Sequence, residues 1–256
     1  MAEFILTPGS IKDGIYFLSE INNEFESIYL KVRAKENRIY SADELEILPF
    51  ASDSNPHKKE WNLRAKSFLR FKKYLKEKKG NLNVLDLGCG NGWLSGQLAK
   101  MFTHNFYCID VNFAELKQGK NTFKSDQIKF VYADIFTSEI PNSTFDIVIL
   151  NASTQYFPDL KRLIHKLLAV IKNRGEIHIF DSPIYSETEV ESAKQRTKDY
   201  YSSMSFSGMT NYYHHHIWKE LSGFNYKVLY NPLSFINKFN KLIINDSPFP
   251  WIRLLK

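Results

Sequence analysis

Apolar positions follow two rhythms along the chain. Between residues 83 and 180, compact apolar runs at 83–87, 106–110, 128–132, 145–150 and 176–180 alternate with stretches at 92–102, 113–120 and 160–171, where apolar residues recur every three or four positions. The compact runs read as buried strands and the periodic stretches as amphipathic helices. Strands alternating with helices of this length imply right-handed crossovers, and so an α/β domain on a parallel, doubly wound sheet. Ligands of such sheets sit beyond the carboxyl ends of the strands.

The flanks break the alternation. The first 80 residues read as an N-terminal cap: a mixed opening, a short segment at 41–48, a loop at 49–56 and an amphipathic helix in which Trp61, Ala65, Phe68, Leu69 and Leu75 keep helical spacing. Residues 81–256 form the main domain. After residue 181 the pattern predicts a lid or acceptor segment at 182–216, a helix from about 217, a strand at 226–230 and an aromatic, proline-punctuated end at 247–254; the last two could close the sheet as a hairpin-like pair.

Composition narrows the setting. A chain of 256 residues with 43% hydrophobic content supports one principal core. Its two cysteines, Cys89 and Cys108, are too few for a disulfide framework and lack the CxxC spacing of a zinc site. With no basic, apolar leader at the start and no window of about 18 apolar residues, the expected protein is cytoplasmic, without a membrane span. The net charge of +6 sits in one place, since residues 57–80 carry ten basic and two acidic side chains and the remainder is slightly acidic. That helix reads as a solvated basic face over the core; a docking surface for RNA or anionic lipid is the competing reading.

The densest chemistry is Val84-Leu-Asp-Leu-Gly-Cys-Gly-Asn-Gly92, a strand ending in a glycine-rich turn that enters a helix. Glycines here let a ligand approach the backbone and meet amide donors. A dinucleotide fingerprint, GxGxxG, would need a third glycine at 93, where the chain has Trp93. Asp86 ahead of the turn would repel a diphosphate and welcome an ammonium group, so a zwitterionic amino-acid moiety fits better.

This segment resembles the first motif of class I S-adenosylmethionine (SAM)-dependent methyltransferases, of the small-molecule, methyltransferase type 11-like branch, and the resemblance runs in register for about 100 residues. It implies a Rossmann-like three-layer α/β/α sandwich over a seven-stranded, mostly parallel sheet, with SAM as cofactor and S-adenosylhomocysteine as product. Asp110 matches the acid that takes the two ribose hydroxyls, with Val111 beside it. Asp134 matches the acid that receives the adenine amine, with Ile135 against the ring. Phe145-Asp-Ile-Val-Ile-Leu-Asn151 matches the strand ending under the reactive methyl. Cofactor contacts are therefore expected at Asp86, Gly88, Cys89, Gly90, Gly92, Asp110, Val111, Asp134, Ile135 and Asn151. Related enzymes also place an arginine or aromatic residue of an upstream helix on the SAM carboxylate, which points to Arg64.

Within that family, Asn151-Ala-Ser-Thr-Gln-Tyr156 lacks the paired prolines of enzymes that methylate base amines, and neither cysteine stands where a carbon-5 pyrimidine enzyme needs its nucleophile. The resemblance that remains implies a small organic acceptor, methylated at oxygen, nitrogen or activated carbon by in-line displacement, with Gln155, Tyr156 and Phe157 facing it. An RNA or protein methyltransferase docking through the basic helix, or a SAM-binding partner subunit without turnover, are the alternatives. The run Tyr212-Tyr-His-His-His-Ile-Trp218 falls where relatives place an acceptor lid. His214 and His216 would share a side of an extended backbone and could serve as general base, with Tyr156 as the further catalytic candidate. No metal is expected, because a third ligand for the histidines is not evident in the sequence.

Overall fold

The computed structural model describes residues 6–234 and 245–256. At its centre five strands run parallel: β3 (Asn83–Leu87), β4 (Asn105–Asp110), β5 (Ile128–Tyr132), β6 (Phe145–Asn151) and β7 (Ile171–Phe180). Their spatial order is β5-β4-β3-β6-β7, so the chain reverses its direction of travel between β3 and β6 and opens a crevice there, as the alternation predicts. Crossovers are α4 (Trp93–Ala99), α5 (Phe113–Thr122) and α6 (Leu160–Val170).

Side-chain alternation builds two cores. Val84, Phe106, Cys108, Phe130 and Ile147 face α4, α5 and the long helix α3 (Lys58–Lys76), whose Trp61, Phe68, Phe71 and Leu75 are buried against them. Leu85, Tyr107, Val131, Val148 and Ile177 face α6 on the opposite side. The result is the three-layer α/β/α sandwich that the family resemblance implies. A third, smaller cluster joins α1 (Asn23–Lys35) to α7 (Val190–Ser203), through Tyr29, Val32 and Tyr201, with Met209 from a 3-10 turn at Ser207–Tyr212.

The sheet has nine strands among the described residues, not seven. At its far edge β9 (Trp251–Leu255) lies antiparallel to β7, and β8 (Tyr226–Tyr230) antiparallel to β9, the closing pair that the tail pattern suggests. At the other edge the excess comes from a hairpin of β1 (Ser10–Lys12) and β2 (Ile15–Phe17), with β2 parallel to β5 through Tyr16↔Val131 and Phe17↔Tyr132. Each strand is too short for a periodicity signal. The turn between them, Asp13-Gly14, carries positive φ at both residues, the two-residue hairpin chemistry that marks it locally. The helix expected from 217 is instead a 3-10 turn, Trp218–Leu221, and the fifth parallel strand starts five residues earlier than its apolar run, because Ile171 already pairs with Phe145. α2 (Ala42–Ile47) carries a full capping box between Ser41 and Glu44. Among the described residues no helix is long and apolar enough to cross a membrane.

Candidate functional site

A cavity of about 600 Å³ opens at the carboxyl ends of β3, β4, β5 and β6. Its floor is the glycine turn. Gly88, Gly90 and Gly92 adopt φ of 69°, 55° and 69°, a region costly for any residue with a Cβ. At Gly88 an added Cβ would stand 2.5 Å from the Ser153 Cβ, so the turn and the end of β6 approach as closely as backbone permits.

The acids sort by strand face. Asp110 ends β4 and lines the cavity; its Oδ2 accepts from the Gly90 amide at 2.7 Å and its Oδ1 from the Asn112 amide at 2.9 Å, which leaves lone pairs on both oxygens for further donors. Burial raises its carboxyl to about 6, against the pull of those amides. Asp134, after β5, also lines the cavity and accepts from the Phe136 amide at 2.8 Å, with Ile135 and Phe136 beside it. Asn112 Nδ2 and Asn151 Oδ1 have no protein partner among the described residues, and both residues face the same space. Two carboxylates with acceptor capacity to spare, an unpaired amide donor, an unpaired amide acceptor and a backbone cradle suit the diol, amino and zwitterionic groups of SAM.

Several expected contacts lie elsewhere. Asp86 does not line the cavity. As the penultimate residue of β3 it shares the face of Val84, is 2% exposed, and accepts from the Ser95 hydroxyl at 2.7 Å, while burial holds its carboxyl up to about 7. It anchors the first turn of α4 and is not placed to meet an ammonium group. Gly92 is also off the wall: it is the left-handed cap of α4, where a Cβ would strike the Phe130 ring at 2.8 Å. Gly88, Cys89, Gly90, Val111, Ile135, Asn151 and Arg64 line the cavity, and so do Tyr156 and Phe157. Gln155 does not; its side chain turns back to donate to the Ala152 carbonyl at 2.6 Å.

The histidine run requires a further correction. His214, His215 and His216 line a separate cleft of about 410 Å³ with Lys194, Thr197 and Lys198. His216 is buried, its Nε2 3.0 Å from the Thr154 carbonyl and its Nδ1 3.4 Å from Glu220, while His215 Nε2 meets the Thr197 hydroxyl at 2.8 Å. The His214 amide donates to the Gln155 carbonyl at 2.7 Å, so this segment packs behind the end of β6 and not in front of it. A general-base role for His214 or His216 has no support in this placement. Among the described residues no cluster of three or more His, Cys, Asp or Glu is arranged to hold a metal.

What the sequence reading missed is the roof. α1, capped by the Asn22 side chain, presents Phe25, Tyr29 and Arg33 to the cavity, one helical turn apart. The Asn22 amide donates to the Tyr132 hydroxyl at 2.9 Å and Glu26 accepts from the Ala114 amide at 2.8 Å, which pins the start of α1 above β5 and α5. Its other end reaches the tip of β6, where Arg33 lies 3.4 Å from the Tyr156 hydroxyl. Arg38, Tyr40, Trp61 and Arg64 complete the wall, and Glu115 stands over Gly90, its carboxyl raised by burial to about 7. The spacing of Phe25, Tyr29 and Arg33 was the available signal.

Comparison with known proteins fits this geometry. Residues 84–175 match the family model described as a methyltransferase domain. An uncharacterized methyltransferase of Mycobacterium bovis is 30% identical over 100 residues, 39% of this chain and 50% of that protein. A malonyl-[acyl-carrier protein] O-methyltransferase of Acetivibrio thermocellus is 29% identical over 127 residues, 48% of this chain and 44% of that one. The chain thus spans about half the length of the curated relatives it matches. By structure it resembles phosphoethanolamine N-methyltransferase 2 of Haemonchus contortus, solved with phosphomonomethylethanolamine and S-adenosylhomocysteine, at a TM-score of 0.54 and 18% identity over 90% of this chain and 60% of that one. The glycine turn, Asp110 and Asp134 all lie within the matched residues, and residues 84–175 are a methyltransferase domain similar to those of the class I SAM-dependent enzymes.

Proposed function

We propose that the protein transfers the methyl group of SAM to a small organic acceptor by in-line displacement. The observation that carries this reading is the single cavity in which the cofactor wall and a second, aromatic wall face each other across the end of β6. SAM supplies a methyl already activated on a sulfonium, so the remaining work is alignment and exclusion of water. Asp110 would hold the ribose hydroxyls, Asp134 the adenine amine with Ile135 against the ring, and Arg64 the carboxylate of the methionine part. Phe25, Tyr29 and Tyr156 keep the facing side apolar. Bound there, SAM would supply the methyl, the C–S electron pair staying on sulfur while the acceptor's electron pair made the new bond to carbon.

The basic helix gives little support to docking on RNA. Arg64, Arg70 and Lys78 are already held by Glu60, Asp246 and Glu176, so the face is less cationic than its sequence. The test is calorimetric titration of S-adenosylhomocysteine into the wild type and Asp110→Ala, together with methyl transfer from labelled SAM to a panel of small acceptors. Binding in the micromolar range that weakens by roughly ten- to a hundredfold in Asp110→Ala is expected, because a charged acceptor of two hydroxyls is lost. Unchanged affinity in the folded variant would remove the cofactor assignment.

A further inference from the structure

The roof of the cavity has a composition that the cofactor does not explain. Phe25, Tyr29, Tyr156 and Tyr212 meet as a cage: Phe25 lies 5.4 Å from Tyr29, 5.9 Å from Tyr156 and 5.3 Å from Tyr212, and Tyr29 meets Tyr156 edge to face at 5.7 Å. Such a box would suit a methylated ammonium group were it not for what borders it. The Arg33 guanidinium sits 4.7 Å over the Tyr29 ring and 3.4 Å from the Tyr156 hydroxyl. A cation entering the cage would meet a fixed positive charge in a poorly hydrated space.

Arg33 also ends a chain of alternating charges. Arg64 pairs with Glu60 at 3.0 Å, Glu60 with Arg38 at 2.5 Å, Arg38 with Glu36 at 3.3 Å, and Glu36 with Arg33 at 3.3 Å. Three guanidiniums alternate with two carboxylates, so both ends are cationic, and Arg64, Arg38 and Arg33 all line the cavity. The two ends face two different regions, Arg64 beside Trp61 and Arg33 beside the aromatic cage. Glu115 also acts on Arg33, but it forms no ion pair with it; burial raises the Glu115 carboxyl to about 7 against the opposing pull of the guanidinium.

We infer that the methyl acceptor is an organic anion, with its apolar body among Phe25, Tyr29, Tyr156 and Tyr212 and its carboxylate or phosphate on Arg33. The inference rests on the methyltransferase reading: one cationic end of the chain serves the cofactor's carboxylate, and the other is left for the acceptor. A guanidinium presents paired donors that match either oxyanion. Tyr156 belongs to both the cage and the tip of β6, and so keeps the bound body next to the reacting end of the cofactor site.

The experiment measures binding, so that it does not need the true acceptor. Protein saturated with S-adenosylhomocysteine is titrated with 4-phenylbutyrate, phenyl phosphate, 4-phenylbutanamide and 4-phenylbutylamine. At least one anion should bind ten- to a hundredfold more tightly than the amide, and the amine should bind no better than the amide. Which of the two anions is tighter separates a carboxylate acceptor from a phosphate one. Arg33→Gln should abolish the preference for the anion while leaving S-adenosylhomocysteine affinity within about twofold, and Arg33→Lys should restore part of it. Equal or tighter binding of the amide or amine, absence of anion binding up to the solubility limit, or an Arg33→Gln protein that keeps the preference would each overturn the inference. Failure of S-adenosylhomocysteine itself to bind would overturn the methyltransferase reading instead, so the two failures are distinct.

Discussion

Asp110 shows how one side chain can both build a site and serve it. Its two oxygens fix the amides of Gly90 and Asn112, and burial raises its carboxyl to about 6. Only the ionised form offers every lone pair to a ligand hydroxyl, so S-adenosylhomocysteine affinity should rise as pH increases from about 5 to 7 and then level off. Asp110→Asn should flatten that profile, which calorimetry across pH would show. Asp86 carries the complementary prediction. Unfolded, its carboxyl loses its proton near pH 4; folded, it keeps it to about 7. The folded state therefore binds more protons in that window, and stability falls as pH rises through it. Asp86→Asn should remove that part of the decline, making the variant more stable than the wild type by on the order of 1–3 kcal/mol at pH 8. Denaturant melts at pH 5 and pH 8 test it; a variant destabilised equally at both would show that the Ser95 bond outweighs ionisation.

At the scale of elements, the cofactor wall depends on how tightly α5 presses against the glycine turn. A Cβ at Gly119 would come 2.3 Å from the Asn91 carbonyl oxygen, a backbone atom that cannot swing away. Gly119→Ala should therefore cost about 1–3 kcal/mol in stability and weaken S-adenosylhomocysteine binding as well, because the turn itself must move. A variant that loses stability but binds normally would mean that α5 yields instead. These elements were legible in the sequence because long apolar runs and a glycine-rich turn are local signals. The roof was not. Phe25, Tyr29 and Arg33 share a helix face, yet what they face is set by the Asn22 and Glu26 anchors 88 or more residues away in sequence, and no periodicity reports such a contact. The histidines mislead for the same reason: sequence position put them after β7, but the hydrogen bond from His214 to Gln155 draws them behind the tip of β6.

Over the whole molecule, most of the excess charge lies away from the site, Arg64 being the basic residue of residues 57–80 that lines the cavity. Lys72, Lys73, Lys76 and Lys79 lie on α3 or just beyond its end, outside the cavity wall. Changing all four to Gln should leave S-adenosylhomocysteine affinity within about twofold, since exposed lysines contribute little individually. Loss of binding in the folded quadruple variant would tie the basic face to the site. The residues that match the family model supply the floor, but much of the roof comes from the first 64 residues, and the hairpin of β1 and β2 stitches that part of the chain to the edge of the sheet. That arrangement bears on turnover. α1 spans the cavity like a bar across a doorway, fastened to Tyr132 and Ala114 at one end and, through Glu36, to the Tyr200 hydroxyl and Arg38 at the other. Where opening a bar held at both ends is slower than displacement on an activated methyl, product escape sets the pace: a rapid first turnover followed by a slower steady state is expected, with the steady state faster and the burst smaller when Tyr132 is changed to Phe and Glu26 to Ala.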